Sequence, residues 1–207
     1  MSKEAPGVRY AEVERETLET RITVALDFDG QRQAGRRLAE SINTGVGFLD
    51  HMLELMAFHG SMHVGVTAEG DLRVDDHHTV EDVGIVIGQA IQQALAGSIQ
   101  IERYGSSLTP MDEALAQIAI DISGRGQLYW NVTWKGEMLG RMATQNVREF
   151  FEAVARHGRL TLHIRALAGE NDHHVCEAIF KGFGRALRDA ARITDSRPRT
   201  STKGKTD

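Results

Sequence analysis

"DDHHTVED" at residues 75–82 and "NDHHVCEA" at residues 171–178 carry the same arrangement: Asp, a histidine pair, two further residues, then Glu. Aligning the pairs sets an offset of 96 residues, from His77 to His173. The offset persists beyond the pairs. Asp76, Glu81, Gly88, Ala90 and Ala94 fall on Asp172, Glu177, Gly184, Ala186 and Ala190. A register kept over that distance is an internal duplication. Each copy reads as the start of a helix, with Asp76 or Asp172 as the N-cap and an apolar, small-residue run after it. His77 and Glu81 then share a face one turn apart, while His78 is rotated from His77 by about 100°. One helical turn can in this way serve two neighbouring ions.

Outward from these helices, the periodicity predicts strands at "RITVALDF", "HVGVTAE", "AQIAIDIS", "GQLYWNVTW" and "RLTLHIRAL". Helical spacing with a glycine stop predicts helices over "FLDHMLELMAFHG" and "TQNVREFFEAVARHG". Each half is then strand, strand, helix, strand, helix, and the fold class is α+β: a duplication of two sheet-plus-two-helix halves. The first half is assigned to residues 1–100, the second to 101–193 and a basic tail to 194–207, with the boundary near "AGSIQIERYGSSLTP". "DGQRQAGRRLAESINTG" reads as a polar hairpin loop.

The chain has 207 residues, 41% of them hydrophobic, enough for cores in both halves. A formal net charge of -5 gives no general reason to bind nucleic acid or an anionic membrane. No apolar stretch approaches the roughly 20 residues of a membrane span, and "MSKEAPGVRY" lacks the apolar core of a signal peptide, so the expectation is a cytoplasmic protein. Cys176 is the single cysteine, which excludes an intrachain disulfide and thiolate-rich zinc sites; it reads as a small buried apolar residue.

Four of the nine histidines lie in the two pairs. Imidazole with carboxylate and no thiolate suits Mn²⁺, Fe²⁺ or Zn²⁺, and the carboxylate share favours manganese. His51 in "FLDHML" is a further candidate, because a histidine on an apolar helix face costs stability unless partnered. His59 and His63 flank the end of that helix, and structural readings are preferred for His63 and His163.

"TGVGFLDHML", "DDHHTVED", "DEALAQIAIDISGRG", "FF" followed by "TLHIRALAGENDHHVCEAIFKGFGRAL", and the tail "STKG" together resemble the imidazoleglycerol-phosphate dehydratase family of histidine biosynthesis. The resemblance runs in order over roughly residues 15–204. It implies two halves like ribosomal protein S5 domain 2, a 24-subunit homo-oligomeric shell with sites between subunits, two Mn²⁺ per active site and a small phosphate-bearing substrate. By position it implies metal ligands at His51, His77, His78, Glu81, His173, His174 and Glu177. An eighth family ligand is commonly a histidine in an E-H-F-F context, where this chain has "REFF" and Glu149. Substrate contacts carry over onto Glu19, the run His51 to His59, His77, His78, Glu81, Arg103, Arg125, Ser201 and Lys203, with catalytic roles for Glu19, Glu81 and Glu177. The loop "QRQAGRRLAES" is longer than is usual in the family, and the end "GKTD" is polar where an apolar residue often follows.

The chemistry agrees with the resemblance. The reaction removes an unactivated C–H proton and a hydroxyl, with no carbonyl to stabilise a carbanion, so the imidazole must help. Were both ring nitrogens to bind metal, the imidazolate-like ring could expel the adjacent hydroxyl and leave a diazafulvene; a carboxylate would take the next proton. Arg103, Arg125, Lys203 and Ser201 would hold the phosphate. The same residues leave open a dinuclear metal phosphoesterase and a non-enzymatic metal-binding shell protein.

Overall fold

The computed structural model describes residues 9–29, 42–96 and 100–194. A hairpin of β1 (Tyr10–Glu16) and β2 (Thr20–Asp27) opens the first half. β3 (Ile42–Asn43), α1 (Gly47–Gly60), β4 (His63–Gly70) and α2 (His77–Leu95) follow. The second half begins with the hairpin β5 (Tyr104–Met111) and β6 (Ala114–Asp121), then β7 (Gln127–Asn131) and the small pair β8 (Met138–Leu139) and β9 (Met142–Ala143). α3 (Thr144–His157), β10 (Thr161–Ala168) and α4 (Asp172–Ala191) complete it. The sheets run β1-β2-β4-β3 and β5-β6-β10-β7, so the halves share one topology. In both, the third strand lies parallel to the fourth and the remaining pairs are antiparallel. The protein is a duplicated α+β fold.

The strand pattern follows from period-two burial. Ala114, Ala116, Ile118 and Ile120 of β6 face the core while the residues between them face outward. The helices pack crosswise: α2 covers β1 and β2 but pairs with α3, and α4 covers β5 and β6 but pairs with α1. Glycines set both crossings. A Cβ on Gly88 would lie 2.9 Å from the Val154 carbonyl oxygen, and one on Gly184 would lie 2.2 Å from that of Met56. Phe150, Phe151, Phe180 and Phe183 are fully buried beside the α2–α3 and α1–α4 pairs, with Phe151 and Phe180 ring centroids 4.8 Å apart. Each such burial contributes roughly 1.5–3 kcal/mol relative to exposure. Cys176 is fully buried, and burial pushes its thiol well above the ordinary range.

Several expectations need correcting. Tyr104–Met111, placed in the boundary stretch, is strand β5, whose alternate residues are covered on one side by α4. Of "GQLYWNVTW", Gln127–Asn131 is strand. The stretch read as a hairpin loop lies largely outside the described residues, but its end, Ile42–Asn43, is β3, parallel to β4. Gly60 is not the stop of α1. It is the last helical residue, where a Cβ would meet the Gly184 carbonyl oxygen at 3.1 Å, and Ser61 takes the left-handed cap at φ 51°. Asp76 holds the N-cap position of α2 as read from the sequence but makes no side-chain capping bond, and in α4 the N-cap is Asn171 rather than Asp172. The residue before each supplies the side-chain acceptor: Asp75 Oδ1 accepts from His77 N–H at 2.9 Å and Asn171 Oδ1 from His173 N–H at 2.9 Å. Asp76 instead accepts from Ala143 N–H, and Asp172 from Lys135 and Gly136 N–H, so both motif aspartates tie loops of the second half to the helix starts.

Candidate functional site

Helix pairing decides which motif residues meet. Because α1 lies on α4, His51 reaches the second histidine pair and not the first. His51 Nε2 and His173 Nε2 approach the same oxygen, Glu177 Oε1, at 3.2 and 3.0 Å. Phe48 packs edge-on to the His173 ring, 5.2 Å between centroids. The other oxygen of Glu177 accepts from Lys181, one turn along α4. Burial pushes the Glu177 carboxyl up, but the bonds from Lys181, His51 and His173 outweigh it and hold the group down at about 2. Among the described residues, His51, His173 and Glu177 form a group whose donor atoms all lie within 4.8 Å of one another. Two imidazole nitrogens and a carboxylate are hard-to-borderline donors, and this trio fits a divalent cation.

The first pair is set between α2 and α3. His77 Nε2 faces Glu81 at 3.5 Å, and its Nδ1 meets the buried Asn146 Oδ1 at 3.1 Å. His78 Nδ1 contacts both oxygens of Asp71, at 3.1 and 3.2 Å, with Glu19 Oε2 at 3.8 Å. The Asp71 hydrogen bond raises the His78 imidazolium, and the charge of Glu19 adds to it. In the second pair, His174 Nδ1 meets Glu113 Oε2 at 2.7 Å, which raises His174 and, with the backbone N–H of Asn171, brings Glu113 down to about 2. His174 stands outside the trio of His173 in this single chain.

Glu149 is half-buried on α3, the helix that packs against α2. Glu19 lies in the β1–β2 turn, with its side chain 56% exposed, and not within an edge strand. His59 closes α1 against Phe58; burial lowers its pKa, and Lys181 and Arg185 lower it further. His163 stacks on Tyr129 at 4.4 Å, and His63 is exposed on β4.

Arg103 and Arg125 converge on one carboxylate. Arg103 binds Asp121 through Nε at 2.6 Å and Nη2 at 3.1 Å, and Arg125 Nη2 reaches it at 3.5 Å. They lie at the end of the β5–β6 hairpin where Tyr104 pairs with Asp121, whereas Glu113 and His174 lie at its turn. Eight residues of strand separate these ends, a span of roughly 25 Å. Ser201 and Lys203 lie outside the described residues.

Sequence reasoning missed Asp71, Glu113, Asn146, Lys181 and Asp121. Lys181 was open to detection, since it follows Glu177 by one helical turn. Glu113 was detectable by aligning hairpins: Tyr10 pairs with Asp27 as Tyr104 pairs with Asp121, which maps Glu19 onto Glu113. Asp71 and Asn146 carried no signal, because nothing in the sequence places β4 or α3 beside the first pair.

Residues 44–187 match the family model described as imidazoleglycerol-phosphate dehydratase. The chain is 54% identical over 187 residues to the imidazoleglycerol-phosphate dehydratase of Acetivibrio thermocellus, covering 90% of this chain and 93% of the relative. With that of Caldicellulosiruptor saccharolyticus it shares 50% over 191 residues, 92% of this chain and 95% of the relative. Its fold matches the crystal structure of the enzyme from Staphylococcus aureus with a TM-score of 0.79 at 40% identity, over 89% of this chain and 99% of that one. A structure from Pyrococcus furiosus matches with a TM-score of 0.78 at 37% identity, over 93% and 99% of the two chains. The paired histidine helices, the duplicated sheets and these matches over nearly the whole length agree: the chain belongs to the imidazoleglycerol-phosphate dehydratase family.

Proposed function

We propose that this protein dehydrates D-erythro-imidazole-glycerol phosphate to imidazole-acetol phosphate, a carbon–oxygen lyase step of histidine biosynthesis. The observation that carries the reading is the convergence of His51, His173 and Glu177 on one point, in a chain of this family. His51, His173 and Glu177 would hold one divalent ion. His77, Glu81 and Glu149 are their counterparts in the other half, and His78 and His174 supply the remaining imidazoles. Eight donors without sulfur, three of them carboxylates, suit two Mn²⁺ per active site. A metal bound there supplies Lewis-acid polarisation of the substrate's imidazole.

The chain's own groups supply the rest. Water leaves as the hydroxyl beside the ring and the hydrogen on the next carbon, and the resulting enol takes a proton at the ring-side carbon to become the ketone. Both oxygens of Glu177 are engaged, one by His51 and His173 and one by Lys181, which leaves it a holding role. Glu81 contacts His77 in the same way from the other half. Glu19 is exposed on a turn beside His78 without a close partner of that kind, and it is the proton carrier of this reading. Arg103 and Arg125 would exchange part of their hold on Asp121 for the substrate phosphate, joined by Ser201 and Lys203.

A three-carbon phosphate cannot bridge roughly 25 Å of hairpin, so the arginine pair and the histidines serving one substrate come from different subunits. This supports a closed homo-oligomer, for which the family resemblance gives 24 copies. Among the described residues no helix is long and apolar enough to cross a membrane, and a biosynthetic role of this kind belongs in the cytoplasm. The test is metal-dependent turnover. Protein loaded with Mn²⁺ should convert the substrate to a ketone, and protein stripped of metal should not; turnover unaffected by stripping would refute the metal part of the reading.

A further inference from the structure

His78 and His174 each present Nδ1 to a carboxylate: Asp71 at 3.1 Å and Glu113 at 2.7 Å. An ionised carboxylate can only accept, so Nδ1 must carry the proton, and the neutral ring keeps its lone pair on Nε2. The two carboxylates are not equivalents in the duplication. Glu113 sits in the β5–β6 turn, and its counterpart in the β1–β2 turn is Glu19, which stops 3.8 Å from His78. Asp71 follows Gly70, whose counterpart across the bulge in β10 is Gly169, since a Cβ on Gly70 would meet Thr79 as one on Gly169 would meet Val175; Asp71 therefore corresponds to Glu170, whose carboxylate is turned away to Lys135. In the second half the turn carboxylate, Glu113, orients the histidine, and in the first half Asp71 does so instead.

We infer that Glu113 and Asp71 are positioning residues that hold His174 and His78 with Nε2 presented for metal, and that the exchange between halves is what releases Glu19 from this duty. The inference rests on the reading of His78 and His174 as ligands. Outer-shell partners of ligating histidines contribute roughly 10–100-fold to metal affinity. The two sites also make different demands on a substitute. Asp71 offers both oxygens to one N–H, so an asparagine can turn its single carbonyl oxygen to His78. Glu113 uses one oxygen for His174 and the other for the backbone N–H of Glu170 and Asn171, at 3.0 and 2.8 Å, so a glutamine leaves one side unmatched.

The experiment measures Mn²⁺ stoichiometry and affinity by equilibrium dialysis, together with the visible spectrum of Co²⁺-loaded protein, for Asp71→Ala, Asp71→Asn, Glu113→Ala and Glu113→Gln. The Asp71 variants are made in a Glu19→Ala background so that Glu19 cannot take over, and His78→Ala and His174→Ala serve as references. The expected result is a 10–100-fold loss of affinity with an altered Co²⁺ spectrum in Asp71→Ala and both Glu113 variants, and recovery in Asp71→Asn. Native affinity in both alanine variants, with loss in the histidine references, overturns the positioning role alone. Native affinity in the histidine references as well overturns the ligand reading beneath it. Should the Glu113 variants fail to fold, Asp71, whose side chain touches no backbone group of α4, decides the matter.

Discussion

His51 and Glu149 occupy the same position in the two halves of the fold. The helix crossings establish this: Gly184 lies against Met56 and Gly60 as Gly88 lies against Val154 and Gly158. His51 precedes Met56 by five residues and Glu149 precedes Val154 by five. His51 faces His173 and Glu177, and Glu149 holds the corresponding place on α3, the helix that pairs with α2. A carboxylate where the family commonly has imidazole still offers a donor for manganese. Glu149→Ala should lower Mn²⁺ affinity by at least the roughly 10–100-fold that loss of an outer-shell partner costs, and Glu149→His should retain binding. Equilibrium dialysis decides it, and native affinity in the alanine variant removes Glu149 from the site.

Glu19→Gln should bind substrate almost normally and lose about 10²–10⁴-fold in rate, the range for deleting a general acid or base. Steady-state kinetics separates the outcomes. Unchanged turnover rules out proton transfer by Glu19; unchanged turnover with a raised KM would make it a binding residue.

Two inactive chains should complement each other. His173→Ala removes a member of the histidine cluster and Arg103→Ala the proposed phosphate contact, and the proposed reading places the two sites serving one substrate on different subunits. Coassembled chains should regain activity in about a quarter of sites if subunits mix at random. Activity no greater than that of the separate variants would place the whole site within one chain.

On the reading that ligands from separate chains meet at the ions, chelation should dissociate the assembly. Sedimentation after exhaustive chelator treatment measures this. An unchanged large particle free of metal would show that the assembly stands on protein contacts alone.

The fold was legible where periodicity was strong and the duplication could be aligned. β6 alternates cleanly, and α3 and α4 have one apolar face each. β5 was missed because "YGSSLTPM" carries a glycine and a proline and few apolar residues. Its glycine is needed where α4 crosses, since a Cβ on Gly105 would lie 2.0 Å from the Ala186 carbonyl oxygen. In the site, the donors within each helical turn were readable from spacing. Partners across elements were not, because the crosswise helix pairing that brings His51 to Glu177 and leaves His77 to Asn146 is a tertiary fact. Arg9 illustrates the limit. It holds the β1 place that Arg103 holds on β5, yet it is buried against Asp29 and the Ala191 carbonyl, a structural role its sequence context does not disclose.

The central claim is dehydration at a metal-dependent site, and phosphorus and proton NMR of one reaction test it most directly. Purified Mn²⁺-loaded protein incubated with D-erythro-imidazole-glycerol phosphate in D₂O should yield imidazole-acetol phosphate, with its phosphate ester intact and deuterium on the carbon beside the ring, where the enol is protonated. Release of inorganic phosphate with the glycerol chain unchanged, or no conversion by fully metal-loaded protein, would contradict the account.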